Sequence, residues 1–252
     1  MTNIGVIDSG VGGLTVLFDV IKEFPNCNYF YIGDSKNCPY GKRNVDEIKK
    51  LSFNMVDYLV KTKQINILII ACNSISSNAT QYLRDCFKDL IIIETVEPTT
   101  NYIKNLDCKK IGLIATEATI NSRMYETKLE NYEVRAKACP TFVTIVENLE
   151  IKDFDKEQIV KQELNEMLKS NIDTLILGCT HFPLLTPYIS KIFSGKIINS
   201  SKAIIIELGK HIKNNNEIGI VQINTTGSSK DFENKIKVMF NKDYKVEYVE
   251  IW

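Results

Sequence analysis

Short, unbroken apolar runs separated by stretches of helical periodicity constrain this chain more than any other feature. Ile67-Leu68-Ile69-Ile70 is apolar at every position, whereas a strand with one wet face alternates. A run of this kind belongs to a parallel strand covered by helices on both faces. Candidate strands occupy Asn3–Ile7, Asn28–Ile32, Ile67–Ala71, Leu90–Ile93, Lys110–Ala115, Thr174–Leu177, Lys196–Ile198, Ile218–Ile223 and Lys245–Ile251. Between them lie stripes at helical spacing: Leu14, Leu17, Ile21 and Phe24; Val45, Ile48, Ser52, Met55 and Leu59; Ile75, Ala79, Leu83 and Cys86. Two further stripes are Val160, Leu164 and Met167, then Phe232, Ile236 and Met239. The alternation predicts an α/β fold built from right-handed crossovers.

One internal echo predicts how the fold is divided. Leu68-Ile69-Ile70-Ala71-Cys72-Asn73-Ser74 and Leu175-Ile176-Leu177-Gly178-Cys179-Thr180-His181 share a plan of apolar strand, small residue, cysteine and two polar residues. The two cysteines are 107 positions apart in a chain of 252, about one small domain's length. Two α/β halves follow, each presenting a thiol at the carboxyl end of a strand. Ligands of open parallel sheets sit outside those ends, so halves facing one another hold a small molecule between two thiols.

Composition removes several function classes. Lys+Arg and Asp+Glu both number 31, so no net field gathers polyanions, which counts against nucleic-acid binding. The longest apolar run is about six residues, far short of the ~20 that span a bilayer. The opening Met1-Thr2-Asn3-Ile4-Gly5-Val6-Ile7-Asp8 has no basic region and is read as no export signal. Seven cysteines with no CxxC pair are expected to be reduced thiols in a cytoplasm. Two histidines, His181 and His211, give little material for a metal site.

Chemistry therefore falls to the strand-end cysteines. Cys27, Cys86, Cys108 and Cys139 read as small buried hydrophobes, Cys86 as the end of a helical stripe. Cys72 and Cys179 each leave an apolar strand for hydrogen-bonding neighbours. A thiol's unperturbed pKa of ~8.5 makes thiol and thiolate both accessible near neutrality. Two thiols across a cleft suit inversion of a carbon centre, one taking a proton and the other giving one on the opposite face. Asp8 and His181 are the candidate proton-handling partners. A Cys-x5-Arg phosphatase loop is excluded by Asn78 and Leu185. A cysteine hydrolase leaves Cys72 unused, and no phosphate cradle stands beside a lysine for pyridoxal chemistry.

Other segments are less decisive. Asp8-Ser9-Gly10-Val11-Gly12-Gly13 is G-x-G-G rather than a dinucleotide fingerprint, and reads as a plain turn or a cradle for a small carboxylate. Gly33-Asp34-Ser35 and Cys38-Pro39-Tyr40-Gly41 form a loop. Ile111 to Thr116 runs into Thr119, Ser122 and Tyr125, a hydroxyl-rich helix start where capping is more economical than anion binding.

Ile4-Gly5-Val6-Ile7-Asp8-Ser9-Gly10-Val11-Gly12-Gly13-Leu14-Thr15-Val16 resembles the opening of the glutamate racemases. Cys38-Pro39-Tyr40-Gly41, Ala71-Cys72-Asn73-Ser74 and Leu177-Gly178-Cys179-Thr180-His181-Phe182-Pro183-Leu184-Leu185 are similar to that family in the same order. Cys139-Pro140 to Glu147 and Thr225-Thr226-Gly227 fit more weakly. The resemblance implies a racemase without cofactor or metal, interconverting L- and D-glutamate and supplying D-glutamate for peptidoglycan. It implies Cys72 and Cys179 as acid/base thiols, assisted by Asp8, His181 and Glu147. Ser9, Pro39, Tyr40, Gly41, Asn73, Ser74, Thr116, Thr119, Thr180 and His181, with Asp8, would hold the substrate. Two pseudosymmetric α/β domains are implied, 1–96 with 204–252 and 97–203, and a homodimer. Ser74, Thr144 and Asn199 depart from the family's usual Thr, Pro and Asp. An aspartate or broad-specificity racemase is the close alternative, because one methylene is worth only ~1–3 kcal/mol of discrimination. Some members inhibit DNA gyrase; nothing in this sequence supports that role.

Overall fold

Nearly every apolar run becomes a strand, and every stripe lies on or at the end of a helix. The computed structural model describes residues 1–212 and 217–251. From the N-terminus, β1 (Asn3–Asp8), α1 (Leu14–Glu23), β2 (Asn28–Gly33) and α2 (Val45–Lys63) lead to β3 (Ile67–Ile70), α3 (Asn73–Cys86) and β4 (Ile91–Ile93). Helix α4 (Val96–Lys104) connects to β5 (Lys110–Ala115), α5 (Glu117–Ser122), α6 (Met124–Lys128), β6 (Glu133–Ala138), α7 (Pro140–Glu147) and α8 (Asp153–Leu168). Next come β7 (Thr174–Gly178), α9 (Thr186–Ile189), β8 (Lys196–Ile198) and α10 (Ser201–Gly209). Then β9 (Val221–Thr225), α11 (Ser229–Phe240) and β10 (Val246–Tyr248) complete the described elements.

The strands form two sheets, β10-β9-β2-β1-β3-β4 and β6-β5-β7-β8, with every pairing parallel. In each sheet the chain first reverses beside the opening strand: after β2 it crosses to the far side of β1, and after β6 to the far side of β5; the six-stranded sheet reverses again when the chain returns from β4 to β9, beyond β2. The crevices at β1/β3 and β5/β7 are thus the switch points where α/β folds bind ligands. Their registers coincide, Ile4 opposite Ile67 in one and Ile111 opposite Thr174 in the other, each 107 positions further on. The echo seen in the sequence is therefore a repeated strand pairing.

Both faces of each sheet are covered, as the unbroken apolar runs require. On the first sheet, Val6, Tyr31 and Ile69 face Leu17 and Val20 of α1, while Ile32, Leu68 and Ile70 face Met55, Leu59 and Leu83. On the second, Leu175 and Leu177 pack against Val160 and Leu164, and Leu113 and Ile176 against Tyr125. Helices α4 and α10 join the halves, and Ile204 and Leu208 of α10 are buried against the first sheet. The boundaries expected at 96/97 and 203/204 fall inside these two helices. Of the returning segment 204–252, residues 213–216 and Trp252 lie outside the described residues. Among the described residues no helix is long and apolar enough to cross a membrane.

Several expectations are corrected. Strand β6 is absent from the sequence reading because Glu133-Val134-Arg135-Ala136-Lys137-Ala138 is a charged edge strand, with exposed and half-exposed positions only. The strand expected at Ile218–Ile223 runs instead over Val221–Thr225. Ile218 and Ile220 are exposed, and pairing with β2 sets the register from Val221 opposite Tyr29 to Thr225 opposite Gly33. The strand expected at Lys245–Ile251 shortens to Val246–Tyr248 at the sheet edge. Cys86 is exposed at the last position of α3, so the buried-hydrophobe reading fails for it.

Helix α8 is anchored through three buried residues, Val160, Leu164 and Met167. Leu164→Ala leaves a cavity beneath it and is expected to cost about 2–5 kcal/mol, read as a lowered denaturant midpoint with an unchanged slope.

Candidate active site

The site is assembled at the carboxyl ends of β1, β3, β5 and β7. Strand β1 ends on Asp8, which is fully buried. Its Oδ1 accepts from the Gly10 amide at 2.8 Å and its Oδ2 from Thr180 Oγ1 at 3.1 Å. Burial pushes the carboxyl up, against the charge of His181 and the amides of Gly10 and Gly13. A Cβ on Gly13 would lie 2.5 Å from Asp8 Cβ, so only glycine lets the chain wrap this closely. The expected carboxylate cradle is corrected accordingly: the amides of Gly10 and Gly13 serve Asp8 itself.

Cys72 follows β3 and caps the start of α3. Its thiol points to Ser9 Oγ at 3.8 Å. Burial, reinforced by the charge of Asp8, pushes it up to about 12. Cys179 follows β7 and has a different neighbour, His181 Nδ1 at 3.8 Å. The other nitrogen, His181 Nε2, lies 2.7 Å from Glu147 Oε1 at the end of α7. Burial opposes the imidazolium, yet hydrogen bonds and charge from Cys179 and Glu147 outweigh it and hold His181 well above its usual range. Burial likewise opposes ionisation of Glu147, but the hydrogen bonds and charges of His181 and Lys235 take it down to about 2.

Both sulfurs line one chamber, with Ser9, Pro39, Tyr40, Gly41, Asn73, Ser74, Thr116, Val143, Thr180 and His181. The chamber's free volume is about 10 Å³, roughly one water. It shares Pro39, Gly41, Thr116 and Val143 with an outer vestibule of about 590 Å³. An amino acid fits the chamber only if its walls move apart. Contacts across the cleft include Ser74 Oγ to Thr116 Oγ1 at 2.9 Å and Thr15 Oγ1 to the Thr180 carbonyl at 3.1 Å.

Three expected site residues stand back from the chamber wall. Asp8 lies behind Cys72 and Thr180, and Glu147 lies behind His181 in the vestibule. Thr119 lies behind Thr116, its hydroxyl at 3.0 Å from Thr116 Oγ1. Thr116 also caps α5 by accepting from the Thr119 amide, so it both caps and lines. The Tyr40 hydroxyl is occupied, since it donates to buried Asp34. Thr226 Oγ1, at 2.5 Å, holds the same Asp34, and Thr225 Oγ1 lies 2.6 Å from Ser35 Oγ. The Thr225-Thr226-Gly227 stretch thus braces the 34–41 loop from β9.

Other contributors have no such role foreseen from the sequence, where Tyr125 stands only as part of a hydroxyl-rich helix start. Tyr125 OH and Thr95 Oγ1 donate to Asn73 Oδ1 at 2.7 and 3.1 Å, leaving the Asn73 amide group for the chamber. Lys235 Nζ donates to Glu147 Oε2. Val143 supplies an apolar wall. A lysine among 31 basic residues and a lone valine carry no local signal.

The sequence pattern of the Asp/Glu/Hydantoin racemase family matches residues 16–208. The chain belongs to that family. With it comes the enzyme class, an isomerase. The chain is 39% identical to the glutamate racemase of Persephonella marina over 99% of its own length and 97% of that protein's. Among solved structures, glutamate racemase isoform RacE1 of Bacillus anthracis superposes with a TM-score of 0.91 at 38% identity, covering 99% of this chain and 98% of that one. The Francisella tularensis glutamate racemase, solved with D-glutamate, reaches 0.90 at 29% identity, over 99% and 98% of the two chains.

Two outcomes test this geometry. A Cβ on Gly12 would stand 2.5 Å from His181 Nδ1 and 2.6 Å from Thr180 Oγ1. Gly12→Ala therefore displaces the imidazole and is expected to lower kcat on the order of a hundredfold while the far-ultraviolet dichroism is kept. The second concerns pH. Glu147 is depressed from 4.5 to about 2 on folding, so its contribution to stability is present above pH 4.5 and lost as pH falls toward 2. His181 is raised above 6.5, so its contribution is complete below pH 6.5 and lost as pH rises through the folded value. The stability difference between the parent and Glu147→Gln is expected to be greatest between pH 4.5 and 6.5. Denaturant unfolding across pH measures it, and a pH-independent difference contradicts the pairing.

Proposed function

We propose that the chain is a cofactor-independent glutamate racemase working by two-thiol proton transfer at Cα. The observation that carries the reading is that Cys72 and Cys179, from different sheets, line one chamber with unlike electrostatic partners. Cys72, raised by burial and by Asp8, is the thiol that gives a proton. Cys179 faces the His181 imidazolium, whose charge Glu147 supports, and is the sulfur that takes the Cα proton. In one direction Cys179 removes the Cα proton, the electron pair moves into the substrate carboxylate, and the Cys72 S–H protonates the opposite face of Cα. The cysteines then stand with roles exchanged, ready for the other enantiomer. The Asn73 amide group offers donors to the substrate's carboxylates, where negative charge builds in the transition state, and Ser74, Thr116 and Thr180 line the same chamber.

Glutamate is favoured over aspartate as substrate because the similar proteins sharing most with this chain bear that name. The aspartate racemase of Picrophilus torridus, at 19% identity and a TM-score of 0.56, bears on the fold alone. Supply of D-glutamate for peptidoglycan, a cytoplasmic location and a homodimer belong to the same reading. So does the division into 1–96 with 204–252 and 97–203, closing on the substrate between them.

Incubation with L-glutamate or L-aspartate in heavy water, followed by optical rotation and α-proton exchange, tests the assignment. Exchange with aspartate alone overturns the substrate. Cys72→Ser and Cys179→Ser are each expected to abolish racemisation, since an alkoxide is far less accessible than a thiolate at neutral pH. Exchange from a single enantiomer is compatible with the scheme in either variant; near-normal racemisation in both directions is not.

A further inference from the structure

Both oxygens of Glu147 are engaged, and from opposite sides of the cleft. Oε1 faces His181 Nε2 at 2.7 Å, while Oε2 receives the ammonium of Lys235. His181 follows β7 and Glu147 ends α7, whose Phe142, Ile145 and Val146 are buried against the four-stranded sheet. Lys235 stands on α11, whose Phe232 and Ile236 are buried against the six-stranded sheet. Lys235 and Glu147 both line the vestibule.

We propose that Lys235 is a positioning residue for the reaction: by gripping Glu147 Oε2 across the cleft it orients the carboxylate that holds His181 against Cys179, and it does so only while the two sheets are closed on each other. The proposal rests on the racemase reading above. A carboxylate held through one oxygen rotates about its Cγ–Cδ bond, whereas two charge-assisted bonds fix its plane. The side chains are 32% and 20% exposed, so the pair is better shielded than an ordinary surface ion pair. Parting of the sheets to admit substrate separates Lys235 from Glu147, but leaves Glu147 with His181 because both are carried by the same sheet. Closure restores the grip, so the relay behind Cys179 is complete only around a captured substrate.

Other groups near Glu147 do not duplicate this. The Cys38 thiol is raised by burial and then by the charge of Glu147, and so stays neutral. Buried Asp8 is engaged by Gly10 and Thr180. Lys42 and Glu117 line the vestibule wall, but besides His181 it is Lys235 that is in ionic contact with Glu147 among the described residues. Lys235 also helps His181 keep Glu147 ionised against the cost of burial.

The test uses Lys235→Met and Lys235→Arg in the full chain. With two histidines present, the His181 imidazole resonance is separable from that of His211 by proton NMR, between about pH 3.5 and 9. Glutamate kcat and KM are measured over the same range. In Lys235→Met, ionisation of Glu147, which at about 2 lies below the measured range in the parent, is expected to rise into that range toward 4.5, sensed by the His181 resonance. The acid limb of kcat follows it upward. At its optimum kcat falls on the order of tenfold to a hundredfold, as for a displaced catalytic geometry, with KM changed less because Lys235 does not line the chamber. Lys235→Arg is expected to restore both readouts. A Met variant whose His181 titration and kcat stay within twofold of the parent overturns the proposal, as does an Arg variant no better than Met. A parent protein that racemises no glutamate overturns the racemase reading instead, while the NMR arm still decides whether Lys235 orients the Glu147–His181 pair.

Discussion

Two parallel pairings, β1 with β3 and β5 with β7, govern everything at the centre of this molecule. Each is made in the same register, and each leaves its cysteine one or two residues past the last paired position. A backbone ladder is rigid and its spacing is set by hydrogen-bond geometry. The position of each sulfur is therefore inherited from the sheet rather than from a loop. The remaining task is to bring the two carboxyl ends together, which α4 and α10 do by spanning from one sheet to the other. The chamber between those ends has a free volume of about 10 Å³.

The two thiols are equivalent by descent through the fold and unlike by environment. Ser9 and Asp8 accompany one, His181 and Glu147 the other. A carboxylate beside a buried thiol favours its neutral form, and an imidazolium beside a sulfur favours separation of charge. In the two-thiol scheme proposed above, a pair that exchanges roles needs one member protonated and one not. The two cysteines are chemically alike, so any difference between them comes from neighbours contributed by different elements. The glycine-rich turn is part of the same economy of space: Gly12 lets the chain pass His181, Gly13 lets it pass Asp8, and Gly41 lets the 34–41 loop touch Thr116.

Much of this was legible from the chain alone, and the failures are instructive. Strands such as Ile67–Ile70 were visible because burial on both faces forces every position to be apolar. Strand β6 was invisible because an edge strand of mixed charge lacks that constraint, and β9 was misplaced because the exposed Ile218 and Ile220 imitate buried ones. Cys86 completed a stripe by spacing but lies at a helix end, where the stripe turns to solvent. Lys235 reaches the site from an element distant in the chain and has no local pattern to mark it, and the hydroxyl-rich run that marked Tyr125 gave no hint that its partner is Asn73.

By itself the sequence determined the α/β class, the repeated strand–cysteine unit and the residue types available for proton transfer, because periodicity and strand-end polarity are local properties read along one chain. Only the tertiary structure decided that Asn73 is oriented by Tyr125 and that Glu147 is shared between His181 and Lys235. Both depend on which surfaces meet when two sheets close on one another, and side chains some 30 to 90 positions apart carry no record of that meeting in their own neighbourhoods.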